Sequence, residues 1–254
     1  MEHFLITNGS ISKYNTDEQG VYPLQRMRTK NNKVVTLERH FELLSNTYEI
    51  LFGEQCPLTL SEVEKSCDTL LEKGGYSSSA CHILEMKYDQ QKNLTVRVIE
   101  TSPYKEFALR AVRPDAHLFS INCFETTIQT TASVAMTELL RLIAHHYNCD
   151  IAACINNSGE LWSIDGAAPF VVKGKKISAC ATIDTVETEM AAAALANLLQ
   201  YEISIEEVTI DQAMEADEIF YVDSRGITSV RSIAGHMLSD NVANALFRNI
   251  NFVI

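Results

Sequence analysis

No lysine occurs between Lys105 and Lys173, so the middle of the chain offers no ε-amine for imine formation or nucleophilic attack. His145 and His146 are adjacent on a helical stretch and point about 100° apart, unlike an i, i+4 chelating pair. No metal site is expected. Cys123, Cys149 and Cys154 have no readable His or Asp partner, which leaves a thiol nucleophile without support. HExxH, GxSxG, GxGxxG and GxxxxGK[ST] are all absent, so neither a zinc protease, a serine hydrolase nor a nucleotide cradle is indicated. Anion binding remains. Ser224, Arg225 and Gly226 can offer a hydroxyl, a guanidinium and a backbone N–H to a small anion; alternatively Asp223 and Arg225 only brace their own turn. Arg28 can hold a carboxylate or pair across its hairpin.

The chain has 254 residues and a formal charge of −12, which argues against nucleic acid or an anionic membrane surface as a partner. No apolar run reaches the length of a membrane span. The start, MEHFLITNGSIS, lacks a basic n-region and a long apolar core. Seven scattered cysteines without a CxxC read as reduced thiols. A cytoplasmic location is expected.

The elements that must position these groups alternate. HFLITNGSI and QRMRTKNNKVVTL read as hairpins turning at Asn8-Gly9 and at KNNK. LERHFELLSNTYEILFG carries Leu37, Phe41, Leu44, Tyr48 and Leu51 at helical spacing, with Gly53 as a stop. SEVEKSCDTLLEKGG is a second helix, with Ser61 as its expected N-cap. CHILEMKYD and NLTVRVIETS pair as strands. After PYKEFALRAVRPDAH, residues Ser133–Tyr147 form a helix expected to bury Val134, Met136, Leu139, Leu140 and Ile143. A strand meander, an alanine-rich helix from TVETEM and two strands around Ser224-Arg225-Gly226 follow. The organisation is α+β with mostly antiparallel sheets in two domains, 1–112 and 113–254.

Several strings, in this order, resemble the class-IV aminotransferases, the fold-type IV pyridoxal-phosphate enzymes that include branched-chain and D-amino-acid aminotransferases and aminodeoxychorismate lyases. LITNGSI is similar to the opening NG-x-I. LQRMRTKNNKVVTLERHFELL is similar to FExxR … nGk … LeeHxxRL, and NNSGELWSIDGAAPFVVKGKKI to dxxGxvxExxxxNxFxvxdgxl. The most specific is EADEIFYVDSRGITSVRSIAG, which keeps ADEIF at the family's distance before a polar turn. The resemblance spans nearly the whole chain. It implies the two-domain fold-type IV architecture, with a cofactor cleft between the domains, and a homodimer.

The same resemblance implies that the family's cofactor residues are replaced. Its Schiff-base lysine falls at Thr130, within one residue of Gln129 and Thr131, and a hydroxyl forms no imine. Its phosphate-binding arginine matches Leu43, and the carboxylate facing the pyridine nitrogen matches Ser163. Its GxxR phosphate turn matches residues 186–189, VETE, where two carboxylates repel an anion. Gln25 replaces the glutamate before Arg28, and His40 matches the histidine of the LeeH string in a structural role. The reading is a class-IV aminotransferase or aminodeoxychorismate lyase-like protein that has lost pyridoxal-phosphate catalysis and expects no cofactor. One alternative is an active lyase or aminotransferase with a displaced lysine or a non-covalent cofactor. Another is a protein that binds an anionic small molecule in the vacated cleft. The candidate ligand-binding residues are Arg28, Gln129, Thr130, Ser163, Ser224 and Arg225.

Overall fold

The structure is a computed structural model and describes residues 4–13, 20–102, 104, 107–121, 128–180, 185–198 and 200–250. Two compact units are present. Residues 1–106 and 128–132 form the first, and residues 107–127 and 133–254 the second. Residues 107–112 thus join the second unit rather than the first: Ile227 N–H donates to Ala108 O and Arg110 N–H to Ile227 O, at 2.9 and 2.8 Å. Residues 128–132 return to the first because Leu24 N–H donates to Gln129 O and Thr131 N–H to Tyr22 O, both at 3.0 Å.

The first unit contains β1 (Phe4–Thr7), β2 (Ser10–Lys13), β3 (Leu24–Lys30), β4 (Lys33–Val34), α1 (Leu37–Phe52), α2 (Leu60–Lys73), β5 (Cys81–Tyr88) and β6 (Leu94–Ser102). Its strands form one sheet in the order β2-β1-β6-β5-β3-β4, antiparallel throughout. Both expected hairpins are present. Asn8-Gly9 and Asn31-Asn32 take positive φ at both turn residues, the twist that two-residue loops require. Ile6, Met27, Leu84, Met86 and Val96 pack from one sheet face against Leu44 and Tyr48 of α1 and Val63, Leu70 and Leu71 of α2. Gly53 closes α1 in the left-handed region as expected. The α2 cap differs from expectation. Thr59, not Ser61, accepts from Glu62 N–H, and Glu62 reaches back to Thr59 N–H in a capping box, so the helix starts one residue before Ser61.

The second unit runs β7 (Asp115–Ser120), α3 (Thr131–His146), β8 (Ile151–Ile155), β9 (Leu161–Ile164), β10 (Pro169–Lys173), β11 (Lys176–Ala179), α4 (Val186–Ala196), β12 (Glu202–Ile205), α5 (Ile210–Met214), β13 (Glu218–Asp223), β14 (Gly226–Ser229), β15 (Ser232–Ile233), β16 (His236–Met237) and α6 (Asn241–Ile250). One sheet has the order β12-β11-β10-β13-β14 and the other β16-β15-β7-β8-β9. Three of their pairings are parallel. The fold is α+β, as the pattern of elements predicts.

Ala116, Ile151, Ala153 and Ile164 of one sheet meet Val171, Ile219 and Tyr221 of the other in one apolar core. The opposite face of the second sheet, with Phe170, Val172, Phe220 and Val222, is covered by Ala191, Ala194 and Leu195 of α4 and by Val242, Ala243 and Leu246 of α6. Helix α3 reverses its expectation. Ala144 is its one buried residue, while Met136, Leu139 and Ile143 are exposed. No described helix is long and apolar enough to cross a membrane.

Candidate functional site

The candidate residues divide between the units. In the first, strand alternation and register put Leu24, Arg26 and Arg28 on the same sheet face as Glu85, Lys87 and Arg97. Helices α1 and α2 cover the other face. Arg26 Nε lies 3.4 Å from Glu85 Oε2, and Arg97 bonds the second oxygen of the same carboxylate. Arg28 is buried and donates from Nη2 to Tyr104 O at 2.7 Å. Lys87 is also buried and pairs in register with Leu24. Nothing in the strand pattern had drawn attention to it.

Gln129 and Thr130 sit beside the start of β3. Gln129 O accepts from Leu24 N–H, and Thr130 is buried in a bridge to Pro23. The Thr131 hydroxyl accepts from Tyr22 N–H and donates to Gly20 O, both at 3.0 Å. Arg28 lies four residues further along the strand, roughly 13 Å at ~3.3 Å per residue. Behind the sheet, buried His40 Nδ1 and Gln25 Oε1 lie 3.1 Å apart. Leu43 is buried on α1.

In the second unit, Asp165-Gly166 forms the turn of a two-residue hairpin. Both residues have positive φ, and Ile164 and Ala167 exchange backbone hydrogen bonds. A Cβ on Gly166 would come within 2.6 Å of the Thr137 hydroxyl. The turn aims the Asp165 carboxylate between two guanidiniums. Arg141 donates to Oδ1, while the Tyr221 hydroxyl at 3.1 Å and Arg225 Nη2 at 3.4 Å reach Oδ2.

Asp223 completes the cluster. Its Oδ1 accepts from Arg225 N–H at 2.8 Å and its Oδ2 from Arg225 Nε at 2.9 Å. Asp223 holds the Arg225 guanidinium well above its ordinary range, against the cost of burial. Burial, reinforced by Asp165, pushes the Tyr221 phenol up. Gly226 has a Cβ position only 2.4 Å from Ala108 O. The backbone N–H and guanidinium of Arg225 are thus turned onto the chain's own carboxylates. Ser224 is buried beside this turn, and Ser163 is buried on β9 two residues before Asp165.

The first turn of α4 carries Glu187 and Glu189, and the Thr185 hydroxyl accepts from Thr188 N–H at 3.1 Å. Its N-terminal donors and dipole are complemented from within the chain. All lysines of this unit lie at one hairpin turn: Lys173, Lys175 and Lys176. Lys173 pairs with Asp217 at 3.4 Å and Lys176 with Glu206 at 2.7 Å, both exposed. Burial pushes the Cys67 and Cys180 thiols up to about 12, so neither is poised as a thiolate. Cys123 lies outside the described residues. His145 and His146 are exposed, and the described residues contain no group of three His, Cys, Asp or Glu able to hold a metal.

The sequence model of the family described as Amino-transferase class IV matches residues 25–233. The chain belongs to this family. A comparison with curated protein sequences finds no match. Among solved structures, the fold is similar to a hypothetical aminotransferase from Mycobacterium tuberculosis in its α-ketoglutarate- and PMP-bound form, at TM-score 0.83, 11% identity and coverage of 99% of this chain and 98% of that one. It is also similar to a branched-chain aminotransferase from Thermoproteus uzoniensis, at TM-score 0.80, 15% identity and coverage of 99% and 94%. A putative 4-amino-4-deoxychorismate lyase from Legionella pneumophila matches at TM-score 0.75, 13% identity and coverage of 92% and 91%. The architecture is that of the fold-type IV class-IV aminotransferases.

At the positions that the sequence resemblance assigns to the cofactor, a buried hydroxyl stands at Thr130 and another at Ser163, an apolar side chain at Leu43, and two carboxylates at the α4 N-terminus.

Proposed function

We propose that this class-IV aminotransferase-family chain has lost pyridoxal-phosphate catalysis and keeps the fold for a non-catalytic role. The observation that carries the reading is the placement of amines. The second unit's lysines all lie at one exposed hairpin turn, and the sequence resemblance assigns the Schiff-base position to Thr130, within one residue. The α4 N-terminus supports the same reading, because Glu187 and Glu189 oppose a phosphate dianion. No reaction step is assigned to these residues. The test is a titration of the purified protein with pyridoxal phosphate, followed by visible absorbance and by transaminase and lyase assays. The reading expects no saturable cofactor spectrum and no turnover; either one overturns it.

A second reading keeps catalysis with a displaced amine, and Lys87 favours it. This lysine is buried on β5 beside Leu24, whose N–H bonds Gln129 O. A cofactor spectrum abolished by Lys87→Ala, but not by Lys173→Ala, would establish this reading and end the first. Binding of a small anion is the third use of the fold. It rests on Arg26, Arg28, Lys87 and Arg97 sharing one sheet face with Glu85.

A further inference from the structure

Asn8 is the one asparagine of the chain that is followed by glycine. A glycine places no side chain beside its own backbone nitrogen, so that nitrogen can reach the carboxamide carbon of the residue before it. The two residues form the exposed turn between β1 and β2. A Cβ on Gly9 would meet nothing within 4 Å, so no neighbouring segment crowds the turn.

The carboxamide has a structural task. Its Oδ1 accepts from Leu94 N–H at 2.9 Å, and its Nδ2 donates to Asn93 Oδ1 at 3.0 Å. Asn8 N–H donates in turn to Leu94 O at 3.0 Å. Asn93 cannot rotate its amide to suit another partner. Its Nδ2 and its N–H both go to the Asp89 carboxylate, at 2.9 and 2.7 Å, which fixes its oxygen toward Asn8. Asn8, Asn93 and Asp89 thus clasp the turn of the β1–β2 hairpin to the turn between β5 and β6.

We propose that Asn8 is a site of spontaneous deamidation, and that its products release this clasp. The Gly9 nitrogen gives its proton to hydroxide and bonds to Asn8 Cγ; the bond from Cγ to Nδ2 breaks, and ammonia leaves. Water then opens the succinimide ring at either carbonyl, to give aspartate or isoaspartate. No electrons are transferred, and water and hydroxide are the only co-reactants. The aspartate product sets a carboxylate oxygen against Asn93 Oδ1, two acceptors with no proton between them. The isoaspartate product inserts a methylene into the main chain, which a two-residue turn with positive φ at both positions cannot hold in register. Ile6 is wholly buried against α1 and α2 and keeps β1 in the sheet. The change is therefore confined to the turn end, where Leu94 N–H and O lose their partners.

The same geometry sets the timing. Hydrogen bonds hold both ends of the carboxamide, so ring closure waits for the turn to open. Asp165-Gly166 is the internal contrast. It has the same backbone signs, but its carboxylate is buried and held by Arg141, Tyr221 and Arg225.

The test holds the full chain in mildly alkaline buffer for several days. Peptide mass spectrometry that separates aspartate from isoaspartate then maps the products. Asn8 should convert before every other asparagine, while Asp165 stays unchanged. Earlier conversion of another asparagine, an intact Asn8, or equally fast isomerisation of Asp165 overturns the proposal. Asn93→Ala should speed the native reaction roughly fivefold and leave the rate in urea unchanged, as loss of one restraining hydrogen bond implies; an unchanged native rate overturns the gating. Should that variant misfold, the wild type decides, since its reaction should be faster in urea, and equal rates overturn the gating. Asn8→Asp reproduces one product. Amide exchange protection at positions 8 and 94 should fall roughly tenfold at neutral pH and recover in acid, where the new carboxyl can donate to Asn93 Oδ1. Unchanged protection at neutral pH overturns the release.

Discussion

Arg141 and Asp165 are joined by two hydrogen bonds, from Nε and Nη2 to the same carboxylate oxygen at 3.0 and 2.8 Å. The pair ties the middle of α3 to the turn between β9 and β10. Asp165 is almost fully buried, with 3% of its side chain exposed, and Arg225 approaches from its other side. Asp165→Asn would leave two partly buried guanidiniums against a neutral amide. Breaking a buried pair typically costs 3–5 kcal/mol. Because both arginines keep some solvent contact, the expected loss is about 3 kcal/mol, measured by urea unfolding at neutral pH. Combined with Arg141→Ala the losses should fall short of additive, since one interaction is removed twice.

Glu218 is the second buried carboxylate that organises the fold. It accepts from Val242 N–H at 2.8 Å and Ala243 N–H at 2.7 Å, the first donors of α6. Burial pushes its carboxyl above the usual range, against those bonds. Glu218→Ala is therefore expected to cost about 2 kcal/mol through lost capping. Glu218→Gln should cost roughly half as much, because its one oxygen still accepts from one of the two N–H groups while its NH2 cannot accept from the other. Thermal unfolding of both variants measures the difference, and equal losses would show that the charge itself matters.

A third expectation concerns alkaline pH. Burial pushes the Tyr48 phenol up to about 12, with Glu54 adding to the shift, and burial does the same at Tyr88. A phenol raised in the folded state contributes stability that is complete below the unfolded value, near 10. It is lost as pH rises toward about 12. Denaturant midpoints should fall between pH 10 and 12, and Tyr48→Phe should flatten that decline.

What could be read from the residues was local. Asn8-Gly9, Asn31-Asn32 and Gly53 announce their turns and helix end because their conformations are set by their own chemistry. The assignment of Thr130, Leu43 and Ser163 to cofactor positions belongs to the proposed reading and rests on residue type within short motifs. Asp165 was hidden inside SIDGAA, since its importance comes from Arg141, Tyr221 and Arg225, which only the folded second unit brings together. Lys87 was one charge in an ordinary strand, and its burial depends on neighbouring strands. Helix α3 was misread because periodicity reports that an apolar stripe exists, not which way it faces. The stripe Met136, Leu139 and Ile143 suits the inside of a domain or a surface between copies equally well. The α2 cap lies two residues earlier than expected: Thr59 with Glu62 and Ser61 with Glu64 both have the capping-box spacing, and the chain uses the first.

We propose that no side-chain amine of this chain serves a pyridoxal-type cofactor. Borohydride reduction of the protein in excess pyridoxal phosphate, followed by intact mass and peptide mapping, tests it directly. The account predicts at most scattered, non-saturating labelling of exposed lysines such as Lys173 and Lys176. One adduct per chain, mapped to a single lysine, would contradict it.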